Sequence, residues 1–227
     1  MPSTDQAHAA ILADGRFPVG GHAHSAGFEA ATTEFGVSTE IDVDLFLGGR
    51  LATTGASEAH QIALIRYRLD SGNIDWHEAD IEIEARIASA ALRATSRTLG
   101  RHWLRAARTV FPGSDIDGLA AATPQPHQVA AFAATTAQAG IMIDDALHIH
   151  LHHLVTAVTG AAVRLHGLDP FRAAALHRHH LPRCRRIVDA AMATADAEWR
   201  DLAAPAGPLT EILAEAHAVA DGRLFRS

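Results

Sequence analysis

The 227-residue sequence contains no lysine: all 19 of its basic residues are arginine. That absence excludes a Walker A phosphate loop, whose Lys reaches the β and γ phosphates, and a Schiff-base enzyme, which needs a Lys amine. A single cysteine, Cys184, permits no internal disulfide and no CxxC metal or redox pair, and reads as an unpaired thiol in a reducing compartment. Aromatic residues make up only 5% of the chain while alanine fills 48 positions, so the types that build strands are dilute and an all-helical protein is expected. No apolar run approaches the ~20 residues of a membrane span. The most apolar stretch, Val129 to Ile143, is interrupted by Thr135, Thr136 and Gln138, is closed by Asp144 and Asp145, and reads as a buried helix. The opening MPSTDQAHAAILADG has no basic residue before its apolar patch, which predicts no export and a cytoplasmic protein. A net charge of −7 supplies no positive field for nucleic acid.

What is present is the composition of one sizeable globular domain, with 48% hydrophobic residues and a mean hydropathy of +0.04. The nine prolines and the glycines punctuate long proline-free tracts, the pattern of a single-domain helical bundle of about eight to ten helices over residues 1–220, followed by a tail at 221–227. A short first helix ends near Gly15, a Gly-rich loop spans Phe17 to Ser25, and a second helix runs to Gly36. Thr39 reads as an N-cap for a segment broken near Gly55 and resumed to Asp70. From Asp75 a helical period outvotes the strand-like alternation of Ile81 and Ile83. In Leu92 to Phe111, at ~100° per residue, Leu92, Leu99, Trp103, Ala106 and Val110 share one face. A loop through Pro124 and Pro126 leads to helices at about 127 to 143 and 145 to 166. Pro170 and Pro182 mark the first turns of two more, and a last helix follows the linker from Pro205 to Pro208.

Three constellations could carry function. Arg93, Arg97, Arg101, Arg105 and Arg108 occupy an arc of about 120° opposite the Trp103 stripe. This ridge is either a solvated face partly neutralised by acids such as Glu82 and Glu84 or a docking surface for an acidic partner. In the block from His148 to His153, Asp144, His148 and His152 lie one turn apart on one face. That is half of a Zn or Ni site, so a helical metal-binding protein or metal-dependent enzyme is the alternative reading. Ile149 stands where the HExxH motif carries its general-base Glu, and His150 and His153 point elsewhere. His177, His179 and His180, between Arg178 and Arg183, form a weaker group. The Gly-rich loop is the third: Pro18, Gly20 and Gly21 can fix a turn that presents His22, His24 and Ser25. Ser25 lacks the GxSxG elbow of a nucleophile, and no catalytic constellation or cofactor motif stands out.

Taken together, LADGRFPVGGHAHSAGFE from Leu12 to Glu29, RATSRTLGRHWLRAA from Arg93 and the closing GRLFRS from Gly222 to Ser227 resemble the urease accessory protein UreF family, and PQPHQVAAFAATTAQAG and AAVRLHGLDP are similar to its actinobacterial branch. Where many relatives carry aromatics, this chain has His22 and His24, and Phe28 replaces the usual Leu. The resemblance implies an all-α, non-enzymatic adaptor that forms a homodimer, binds UreD (also called UreH) and recruits the GTPase UreG, in an assembly that delivers nickel to the urease apoprotein. It implies no cofactor and no membrane or nucleic-acid partner. Partner contacts are expected from Pro18, Gly20, Gly21, His22, His24, Ser25 and Glu29, from Arg93, Arg97 and Arg101, and from the tail. In the tail, Arg223, Leu224, Phe225, Arg226 and Ser227 either fold back on the bundle or wait for UreD, with Phe225 as the apolar anchor, and the resemblance favours UreD.

Overall fold

The computed structural model describes residues 4–20, 24–220 and 224–225. Among them no strand occurs, and the chain is an all-α bundle. In order the helices are α1 (Thr4–Ala13), α2 (Phe28–Phe35), α3 (Glu40–Arg50), α4 (Ala56–Asp70), α5 (Trp76–Ala85), α6 (Ala90–Val110), α7 (Ser114–Ala122), α8 (Gln128–Gln138), α9 (Ile143–His166), α10 (Pro170–Met192) and α11 (Pro208–Val219). A π turn at Leu51–Gly55 joins α3 to α4, so the two form one rod.

Local chemistry explains most of the ends. Thr39 caps α3 as expected: its hydroxyl accepts from the Asp42 amide while Asp42 reaches back to the Thr39 amide. Asp75, Ser89 and Asp169 cap α5, α6 and α10 in the same way, and Gly36 and Gly167 close α2 and α9 in the left-handed conformation. Ile83 is buried and Ile81 exposed, as one helical face requires.

Three boundaries and the burial of one residue differ from the sequence reading. Residues 170–192 form one helix, not two. Pro182 sits on its exposed side, and the buried positions Leu176, His180, Cys184, Ile187 and Ala191 keep helical register across it, so packing outweighs the one lost backbone bond. The apolar helix from 127 stops at Gln138, because Gly140 turns the chain at φ +70° before α9 begins. A separate helix, α7, fills what reads as loop; its first turn carries Asp115 and Asp117, and Ile116 and Leu119 insert into the core. Along α6, Leu99, Trp103 and Ala106 are buried but Val110 is not, since the stripe outruns the neighbours that cover it.

The centre of the bundle is α8, in which every residue from Val129 to Thr136 is buried, packed by α6, α4 and α7. Trp103 and Phe132 meet edge to face at 5.1 Å. At Gly100 the approach is backbone to backbone: a Cβ there would lie 1.9 Å from the Pro126 carbonyl oxygen. Arg66 crosses the end of α8, donating to Thr136 Oγ1 and to the Ile141 carbonyl. Cys184 is buried, which pushes its thiol up from the ordinary range and leaves it inert.

Candidate functional site

The first loop and the C-terminus meet on one carboxylate. Glu29, in the first turn of α2, is buried at 8% exposure and accepts from His217 Nε2 of α11 at 2.9 Å and from the amides of Leu224 and Phe225 at 2.8 and 3.0 Å. Burial pushes its carboxyl up, but those three donors outweigh burial and hold it below the ordinary carboxylate range. Ser25 is fully buried and accepts the Glu29 amide on Oγ, which orients α2, and Phe28 lies edge-on to Phe46 and His166. Phe225 packs at 4% exposure with the Arg164 guanidinium 4.1 Å over its ring, whereas Leu224 is 76% exposed. Of the two tail arrangements left open above, Phe225 takes the folded-back one. His24 and Ser25 are buried, not presented to solvent. Pro18 and Gly20 are exposed, and Gly20, at φ +80°, lies against His102 of α6. Gly21, His22, Arg223, Arg226 and Ser227 lie outside the described residues.

The arginine ridge is largely engaged within the chain. Arg97 donates to both oxygens of Asp80, to Glu84 and to the Gln125 carbonyl. Arg93 pairs with Glu84 at 3.0 Å and donates to the Ile87 and Ala88 carbonyls, and Arg101 reaches Gln125 and Thr98. These three clamp α6 to α5 and to the loop before α8. Glu84 is the acid foreseen beside the ridge, whereas Glu82 turns to Arg86. Arg105 and Arg108 stay exposed.

The histidines of α9 are structural to a degree the spacing conceals. His148 donates to the Asp144 carbonyl, His150 to Glu58 and His153 to the Leu12 carbonyl, while His152 hydrogen-bonds the Ala13 carbonyl. The last two satisfy carbonyls at the end of α1 that no helical amide reaches. Burial, and secondarily the neighbouring His150 and His152, push His153 down to about 4, so it is neutral and a dependable donor. Asp144 and His148 pair at 3.3 Å, but Arg185 also occupies the Asp144 carboxylate and His152 turns toward α10, so the three do not converge. Among the described residues no group of three or more His, Cys, Asp or Glu side chains is placed to hold a metal ion.

Between the first loop, α6, α9 and α11 lies a cavity of about 1050 Å³, lined among others by His24, Trp103, His152 and His217. At one end the buried Arg50 guanidinium is held by Thr54, close to the Glu58–His150 pair. Sequence reading missed Arg50, Glu58 and His217: Glu58 and His217 acquire their partners from distant helices, and Arg50, bonded locally to Thr54, is singled out only by its burial. The only local hint was the Thr-Thr-Gly of the π turn. Two glutamates of α11 were also missed. Glu211 accepts the Ser89 amide, and Glu215 accepts the Ser89 hydroxyl and the Ala91 amide, placing carboxylates at the amide end of α6.

Comparison with known proteins places this architecture. The UreF family model matches residues 37–181. The chain is 36% identical to the urease accessory protein UreF of Mycolicibacterium vanbaalenii over 225 residues, covering 96% of each chain. It is 35% identical to that of Mycobacterium sp. strain JLS, covering 95% of this chain and 96% of the relative, and 32% identical to that of Mycobacterium tuberculosis strain H37Ra, covering 91% of each. The chain belongs to the UreF family. By that membership it is an accessory protein of urease and not an enzyme. Among the described residues no helix is long and apolar enough to cross a membrane.

Proposed function

We propose that this chain is a cytoplasmic adaptor in urease maturation that forms a homodimer, binds UreD/UreH, recruits the GTPase UreG and so governs nickel insertion into the urease apoprotein, acting as a chaperone for the apo-enzyme. The observation that carries this reading is the similarity to urease accessory proteins UreF, which covers 95–96% of the chain.

The surface chemistry supports a partner at the C-terminal end. On α11, Ile212 and Val219 fall within about 20° of one another and about 100–160° from the buried Leu213 and His217. Their stripe, together with Leu209 and Leu224, leaves large apolar side chains exposed at the end of the chain that bears the tail. UreD is assigned to this surface, with Leu224 as a contact and Phe225 as the anchor that holds the tail in place. The exposed Pro18 and Gly20, and the loop they begin, are assigned to UreG. Arg93, Arg97 and Arg101 are retained there as supports for the docking face, because their guanidinium groups are already engaged.

The test is native co-purification. Tagged chain co-expressed with UreD and UreG retains UreD alone and retains UreG when UreD is present. Retention of neither protein under native conditions refutes the adaptor role.

A further inference from the structure

We propose a second kind of site, unrelated to partner docking: a two-histidine clip for a divalent transition-metal ion, made by His152 Nδ1 of α9 and His177 Nε2 of α10. These nitrogens are 3.2 Å apart, with the two rings 4.7 Å between centroids and inclined at 39°. Two nitrogens bound at about 2.05 Å to one ion lie about 2.9 Å apart across a right angle and about 3.35 Å apart across a tetrahedral one. The observed separation falls between those limits, and the two rings belong to different helices already packed side by side.

The surroundings of His152 fit a ligand. Nδ1 faces His177, which leaves Nε2 for the Ala13 carbonyl; the N–H is therefore on Nε2 and the lone pair on Nδ1. A metal-bound histidine ordinarily keeps its other N–H on such a carbonyl, which fixes ring and tautomer. In the metal-free pair His177 Nε2–H donates to that lone pair. Binding moves the His177 proton to its own Nδ1, with no net proton released, and each ring turns so that the two lone pairs meet at an apex beside the N···N line. Imidazole selects Ni, Cu or Zn over Mg or Ca. Both rings are half-buried, and His152 lines the 1050 Å³ cavity, which gives an ion a way in. With two protein ligands the remaining positions go to water or an exchangeable ligand, so the site holds an ion reversibly. It is not the Asp144, His148 and His152 set, from which His152 turns away toward α10.

The experiment uses the untagged full-length chain and Ni(II) alone, titrated by calorimetry. Wild type binds one ion at micromolar Kd, His152→Gln and His177→Gln each weaken it at least tenfold, and His148→Gln stays within twofold. Saturating Ni(II) raises the thermal midpoint of wild type and His148→Gln but not of the other two. In wild type, Ni(II) also shields His152 and His177 from diethyl pyrocarbonate, read by peptide mass spectrometry, which decides the matter if a variant fails to fold. The proposal is overturned by no saturable binding in wild type, by His148→Gln losing the site while His177→Gln keeps it, or by equal modification of both histidines with and without metal. None of these outcomes depends on UreD or UreG.

Discussion

The bundle centre and the C-terminal clasp are built on opposite principles. Around α8 the stabilising contacts are mostly apolar and close-packed, with Phe132 against Trp103, and the Thr135 and Thr136 hydroxyls donate to carbonyls within their own helix. The clasp is polar and long-range. One carboxylate, Glu29, gathers donors from residues 217, 224 and 225, nearly the whole chain away. Apolar contacts carry no protonation state of their own. A carboxylate clasp has a defined protonation state on which it depends.

The sharpest way to break the comparison is at the centre. Phe132→Ala removes a fully buried ring and should cost about 3–5 kcal/mol, measured by chemical denaturation. A loss below about 1 kcal/mol would show that the centre is not close-packed. Phe225→Ala should cost less, about 1.5–3 kcal/mol, since a single ring at the edge is uncovered. If stability is unchanged, the tail is not seated as described.

Glu29→Gln exchanges a carboxylate for an amide in front of three donors and should cost about 1–3 kcal/mol. Hydrogen exchange at the Leu224 and Phe225 amides should accelerate with it, while that of α8 stays slow; equal acceleration in both would mean that the two regions open together. Acid should separate them too. The folded-state pKa of Glu29 lies below its unfolded value of about 4.3, so its contribution is complete above that value and fades as pH falls through the folded one. His60 and His127, held neutral chiefly by burial, begin to destabilise earlier: the unfolded chain takes up more protons, so stability falls as pH drops below about 6.5. A thermal midpoint constant from pH 7.5 to 5 would contradict this. The smallest effect on folding is expected at Leu224→Ser, within about 0.5 kcal/mol, because the side chain is exposed. Its retention of UreD should nevertheless fall, and undiminished retention would move the UreD contact away from Leu224.

Much of the fold is written in short-range pattern, which is why it can be read without coordinates. The absence of lysine, the alanine content and the 3.6-residue stripes of Leu99, Trp103 and Ala106 depend only on residues within a turn or two of one another. So do the caps Thr39 and Asp169. The family resemblance was legible for a related reason, since it rests on the order of short blocks along the chain.

Tertiary structure alone decided what the polar residues do. Whether an arginine faces solvent or an acid depends on which helix arrives opposite it, so Arg97 became a clamp on Asp80 and Glu84. A histidine's role depends on the group its ring nitrogens meet, which no spacing along α9 reveals. His153 found the last turn of α1, and His152 found His177. Pro182 stayed inside a helix because burial on the opposite side of α10 is worth more than one backbone hydrogen bond. Glu29 and Phe225 were singled out in the sequence separately; only folding, which brings positions 196 residues apart within hydrogen-bond reach, made them parts of one clasp.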